Sequence, residues 1–351
     1  MKKSIRLTLI SLSAALLCGC SVTTPPAPIR PAVPPLRSAE AKEIQARCGE
    51  IRKLLSSLEV RGIALYPRAF ELGYTPEKIC AFLLEAGFNR IYLHITSETE
   101  FNEKLSAFLS AAQARNLPVE ILLRQSCFHQ RSRGNRMLQK LRDPYPGIAE
   151  MIRKAAEFNV EFGEKGGRIS AVTVVAEPHK FTRTYTGTGQ IFAWDERTYG
   201  HGLDNDLLIS QALDMLKVLD DCGFPLTVGF SDFYHDLVKA GKLSRGTLAD
   251  FQGTRSGKTP VLVMSTGNKP TAVVSGTALE LAGAGKQDKV LLGIELASHT
   301  SVKAAQLRRR DWKDFIRILG YIVKENKKYP AFKGVVITPL AIFENIIMEQ
   351  D

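Results

Sequence analysis

No stretch of this 351-residue chain reaches the ~20 consecutive apolar residues of a helix that permanently crosses a bilayer, so no transmembrane helix is expected. The H-x-H and H-E-x-x-H spacings of common metal sites are missing too. Gly253-Thr-Arg-Ser-Gly257-Lys258 lacks the spacing of a phosphate-binding loop and is read as a turn. An acidic excess is equally lacking. The formal charge is +11, and losing Lys2, Lys3 and Arg6 with a leader would leave +8, a balance that suits anionic surfaces or ligands. The basic residues are spread along the chain, with local clusters at 124–142 and at Arg308-Arg309-Arg310. No nucleic-acid partner, cofactor or resident metal is expected.

The N-terminus follows the plan of an export signal. Lys2, Lys3 and Arg6 form a basic region, and Leu7 to Leu17 form an apolar segment too short to span. Leu17-Cys18-Gly19-Cys20 then resembles the lipobox of bacterial lipoproteins, which implies cleavage after residue 19 and acylation of Cys20. Ser21 after that Cys fits outer-membrane sorting, so a lipid-anchored protein of the cell envelope, facing the periplasm or the exterior, is expected. Residues 20–38 carry the lipidated Cys and a Pro-rich spacer with too few patterned apolar residues for a core. Residues 39–351 then form the folded domain, opening with an extra helix over residues 39 to 58.

Eight short runs rich in Val, Ile and Leu recur along that domain: Gly62-Tyr66, Arg90-Ile95, Pro118-Leu123, Ala171-Ala176, Pro225-Phe230, Pro260-Met264, Val290-Leu296 and Gly334-Thr338. Each is continuous rather than alternating, as in strands buried on both faces. Helix signals fall between them. Thr75-Pro76 supplies an N-cap and a first-turn proline, and Gly87 a stop. Helical apolar spacing marks Asp204 to Cys222 and Ser301 to Lys327, closed by Gly223 and Pro330. Eight strands alternating with helices predict an α/β fold, a (β/α)8 TIM barrel.

Four cysteines lie in that domain, Cys48, Cys80, Cys127 and Cys222, and four allow three pairings. Cys48 and Cys80, on neighbouring helices, are a conceivable pair, and the pairing is left open. Cys127 and Cys222 fall at opposite ends of the barrel.

Function in such a barrel collects at the C-terminal ends of the strands. The fourth run leads into Ala176-Glu177-Pro178-His179 and the seventh contains Glu295, so two carboxyls cap strands on the same mouth. This arrangement resembles the clan A glycoside hydrolases, in which an acid/base Glu follows strand 4 and a nucleophilic Glu follows strand 7. The resemblance implies Glu177 as general acid/base and Glu295 as nucleophile, with carboxyls ~5–5.5 Å apart in a retaining enzyme. Two positions depart from the clan's usual pattern. Ala176 stands where an Asn is usual, and Thr338-Pro339 where many members carry a Trp.

Around that pair, Tyr66, His94, Arg124, His179, Trp194, Asp232 and His299 map to strand ends or the segments after them and are the expected substrate contacts. Trp194 lies in a long connection with Phe181, Tyr185, Phe192 and Tyr199, whose flat faces suit sugar rings. Arg124, Arg131, Arg133 and Arg136 would suit an anionic glycan. All six histidines, including His129, His201 and His235, fall after strands, which also raises a divalent-metal barrel built on His94, His179, His235 or His299 with Glu177, Asp232 or Glu295. Three functions follow: hydrolysis of a polysaccharide or glycan by a two-carboxylate mechanism, glycan binding without cleavage, and metal-dependent hydrolysis or isomerisation.

Overall fold

The apolar runs of the sequence become a closed barrel. The computed structural model describes residues 38–66, 75–128, 144–164, 166–180, 203–255, 259–265, 269–297, 307–308 and 312–339. Its strands are β1 (Val60–Leu65), β2 (Arg90–His94), β3 (Val119–Arg124), β4 (Ile169–Val175), β5 (Leu226–Ser231), β6 (Val261–Met264), β7 (Val290–Ala297), the two-residue β8 (Leu307–Arg308) and β9 (Phe332–Thr338). Each strand from β1 to β7 pairs in parallel with the next. β7 then pairs with β9, and β9 returns to β1, which closes the ring. All eight expected runs are therefore strands of one parallel (β/α)8 barrel, with ends that differ from expectation by at most two residues. β8 lies outside the ring, paired with the last residues of β7.

Around the ring lie α1 (Ser38–Leu55), α2 (Pro76–Glu85), α3 (Glu103–Gln113), α4 (Pro144–Phe162), α5 (Leu203–Leu219), α6 (Phe233–Lys239), α7 (Leu248–Gln252), α8 (Pro270–Gly283) and α9 (Trp312–Asn326). Local chemistry explains their ends. Thr75 is extended and accepts a hydrogen bond from Lys78 N ahead of Pro76, and Gly87 takes φ of +84° just past the end of α2. The Asn102 side-chain Oδ1 accepts from Lys104 N and Leu105 N at the start of α3. The extra N-terminal helix is α1, which packs on α2 and α9. Trp312 Nε1 donates to Glu50 across the α1–α9 contact at 2.9 Å.

One expectation needs correction. Helical spacing predicts a helix from Ser301 to Lys327, but α9 begins only at Trp312, and Leu307–Arg308 are extended. Those two residues meet the end of β7, where Leu296 and Ala297 offer backbone groups for pairing that the apolar pattern does not reveal. None of the pairings left open for the cysteines is formed. All four are free thiols, and Cys48 and Cys80 are buried as small apolar residues of the core.

The strand pattern separates two cores. Val172 and Val174 point outward, packing with the helices, while Val175 points into the ring with Val60, Ala64, Tyr92, Leu122, Leu262, Met264, Leu291 and Val336. Each fully buried aliphatic side chain contributes ~1.5–3 kcal/mol by leaving water. Burial on both faces is why the runs read as continuous apolar stretches. Room for the inner side chains comes from small residues: a Cβ on Gly62 would lie 2.5 Å from the Tyr92 ring. Lower in the ring Arg90 donates to Glu120 at 2.6 Å, and Thr173 donates to the other Glu120 oxygen at 2.9 Å.

Candidate functional site

The period of two that fills the barrel also decides what reaches its mouth. Ala64, Tyr92, Leu122 and Leu291 point inward, so the inward phase continues to Tyr66, His94, Arg124 and Glu295 at the C-terminal ends. On β4 the inward phase passes Thr173 and Val175 to Glu177. One layer of polar side chains therefore caps an apolar interior.

Glu177 is buried, with 2% of its side chain exposed, and its hydrogen bonds fix it. Arg124 donates to Glu177 Oε1 from Nε at 3.1 Å and from Nη2 at 2.5 Å. Ser126 Oγ donates to Oε2 at 2.5 Å. The backbone N–H of Glu177 donates to the side-chain oxygen of Gln125 at 2.9 Å. Burial alone would lower the pKa of the Arg124 guanidinium, but the Glu177 carboxylate outweighs it and the net shift is upward. Arg124 also reaches the second carboxyl, with Nη1 lying 3.9 Å from Glu295 Oε1. One guanidinium thus spans both carboxyls, and only Glu295, 35% exposed, opens to solvent.

Tyr66 stands at the end of β1, 39% exposed, its ring edge-on to His94 with centroids 4.7 Å apart. Burial raises its pKa, Arg124 opposes that, and Glu295, Cys127 and Glu177 add to it, so the phenol shares a field with the whole cluster. His94 is buried at the end of β2, and its Nε2 lies 3.6 Å from Cys127 Sγ. Tyr66, His94, Arg124, Glu177 and Glu295 are thus brought together.

Other expected contacts lie elsewhere. His179 sits in a single 3-10 turn after β4 (Pro178–Lys180), where Nδ1 is 2.5 Å from the Tyr234 hydroxyl and the ring meets Phe233 edge-on. Asp232 is buried and turned toward α8, where a Cβ on Gly276 would strike its carboxyl. The reason is phase: Gly229 faces the inward Val175, so Ser231 takes the inward position and Asp232 the outward one. His235 likewise leaves the mouth, its Nδ1 3.1 Å from Glu280 Oε1. Cys20, His129, Arg131, Arg133, Arg136, Trp194 with its aromatic neighbours, His201 and His299 lie outside the described residues. Among the described residues no three His, Cys, Asp or Glu side chains converge as a metal cage.

Sequence reading missed the turn that follows β3. Gln125–Cys127 form one 3-10 turn, and its three side chains touch the Glu177 backbone, the Glu177 carboxylate and His94 in succession. The available signal was position alone, directly after a strand end.

Fold and site together define an α/β barrel whose C-terminal mouth is floored by a guanidinium and two carboxyls. No protein-family model and no curated protein matches the chain. Among solved structures it is similar to a GH18 chitinase from Pseudoalteromonas aurantia, at 12% identity and a TM-score of 0.43, over 82% of this chain and 97% of that one. A fungal β-1,4-galactanase is similar at 13% identity and a TM-score of 0.47, over 82% of this chain and 91% of its own. Xylanase B from Clostridium stercorarium F9 is similar at 12% identity and a TM-score of 0.42, over 82% and 88%.

Proposed function

We propose that this chain is a glycoside-hydrolase-like barrel lipoprotein that binds a carbohydrate at its mouth without cleaving it. The observation that carries this reading is the buried contact of Arg124 and Ser126 with Glu177. A two-carboxylate glycosidase needs one carboxyl kept protonated to hand a proton to the leaving oxygen. A carboxyl that accepts from a guanidinium and a hydroxyl is instead favoured as the ion. Ala176 in place of the clan's Asn fits the same reading. Tyr66 would lie against a sugar face, and Glu295 and His94 would meet hydroxyls. Isothermal titration with oligosaccharides tests this, because Tyr66→Ala and Glu295→Gln should weaken binding at least ten-fold while leaving the melting temperature within a few degrees.

A second reading is retaining hydrolysis, with Glu295 as nucleophile and Glu177 as acid/base. The accessibility of Glu295 favours it, since a nucleophile must reach the anomeric carbon. The proposal extends to location: acylated Cys20 anchors the protein in the cell envelope, in the outer membrane, and the Pro-rich spacer holds the barrel off the lipid surface. The basic leader, the short apolar segment and Leu17-Cys18-Gly19-Cys20 support that anchor.

A further inference from the structure

We propose that Cys127 and His94 form a reactive thiol–imidazole pair at the barrel mouth, a modification site for small disulfides. The site follows from the turn after β3. Gln125 and Ser126 hold the turn through Glu177, and the third residue carries its sulfur to 3.6 Å from His94 Nε2, a nitrogen that can accept the thiol proton. Cys127 is the exposed member of the four cysteines in the described domain. Cys48 and Cys80 are buried, and Cys222 is half-buried.

One feature sets this thiol apart from an ordinary surface cysteine. A thiolate, not a thiol, attacks a disulfide, and a neighbouring imidazole or cation increases the thiolate fraction. His94 supplies the imidazole directly, held by the strand end and packed edge-on by Tyr66. The titratable and charged groups facing the pair are Tyr66 from β1, Arg124 from β3, Glu177 after β4 and Glu295 from β7. The two carboxylates outnumber the single Arg124 cation and their field opposes a thiolate, so activation falls to His94 alone.

The chemistry balances within the disulfide itself. The Cys127 proton passes to His94 Nε2, and the thiolate attacks one sulfur of the reagent. A new S–S bond forms, the reagent's S–S bond breaks, and the departing thiolate takes the proton from His94. No further oxidant is required. The proposal holds whatever the mouth binds, so its failure leaves the carbohydrate reading untouched and the reverse is also true.

The test is timed reaction of the full chain with 5,5′-dithiobis(2-nitrobenzoate), quenched by acid and read by mass spectrometry of each cysteine peptide. Cys127 is expected to react at least ten-fold faster than Cys222. Its rate should rise at a pH below the ~8.5 of a free thiol. Burial pushes the Cys48 and Cys80 thiols up to about 11, so both serve as slow internal references. His94→Gln should slow Cys127 at least ten-fold at pH 6.5 and move the rise to the free-thiol range. Two results overturn the pair: a wild-type Cys127 no faster than Cys222, or a wild-type profile that rises only near 8.5. The second reads the wild-type protein alone and therefore stands even if His94→Gln fails to fold.

Discussion

Arg124 donates two nitrogens, Nε and Nη2, to a single oxygen of Glu177, and the pair is buried beneath the barrel mouth. Removing one member should leave the other charge buried without its main partner, a loss of ~3–5 kcal/mol. Arg124→Met should therefore lower the urea midpoint sharply, whereas Arg124→Met with Glu177→Met should recover most of it. Equal stability for the single and double variants would show that the pair is not the unit described.

Close approach in the barrel separates Gly334 from Gly49, which has open space. A Cβ on Gly334 would overlap the Val60 carbonyl, where β1 and β9 pair Val60 with Gly334 and close the ring. Gly334→Ala should lose ~1–3 kcal/mol or more, since backbone cannot step aside as a flexible side chain does. Gly49 lies inside α1, with nothing within 4 Å of an added Cβ. Gly49→Ala should gain ~0.5–1 kcal/mol from helix propensity. Chemical denaturation of both variants measures the contrast.

Away from the mouth, Glu280 is buried between α7 and α8, accepting from Leu248 N at 2.9 Å and facing His235 and Asp232. Burial raises its pKa above the ordinary 4.5, and the Leu248 N–H and His235 only partly oppose that. A carboxyl with a raised folded value binds its proton more tightly in the native state. Its contribution is complete below about 4.5 and is lost as pH rises through the folded value. The melting temperature of the wild type should thus fall more steeply above pH 4.5 than that of Glu280→Gln. Parallel melting curves across that window would contradict the assignment.

At the other end of the chain the anchor gives a prediction of its own. Cys20→Ser should abolish incorporation of labelled palmitate and shift the protein from the membrane fraction to the soluble one. Membrane association of the unlabelled variant would refute acylation at Cys20.

Most of this architecture is legible in the sequence because a parallel barrel buries both faces of each strand, leaving apolar runs that stand out against amphipathic helices. The mouth residues Tyr66, His94, Arg124 and Glu295 are legible for the same reason, since counting in twos along a known strand carries the inward phase to its end. Asp232 shows the cost of not counting: one residue past Ser231, it faces α8. The contacts that determine the chemistry are less visible. Gln125 and Ser126 meet Glu177 across more than 50 residues of chain, and their spacing from Glu177 does not signal that they share its carboxylate. Leu307–Arg308 escaped for a related reason, because their strand geometry comes from a partner in β7 rather than from their own pattern.

The most direct measurement is a glycan array run with reducing-sugar release from the same oligosaccharides, on wild type and on Glu177→Gln. Binding without release is expected for the wild type, because the Arg124 and Ser126 contacts favour Glu177 as the ion rather than as a proton donor. Glu177→Gln should change binding while release stays at background. Release of reducing sugar by the wild type that Glu177→Gln abolishes would contradict the binding reading and establish Glu177 as a working acid.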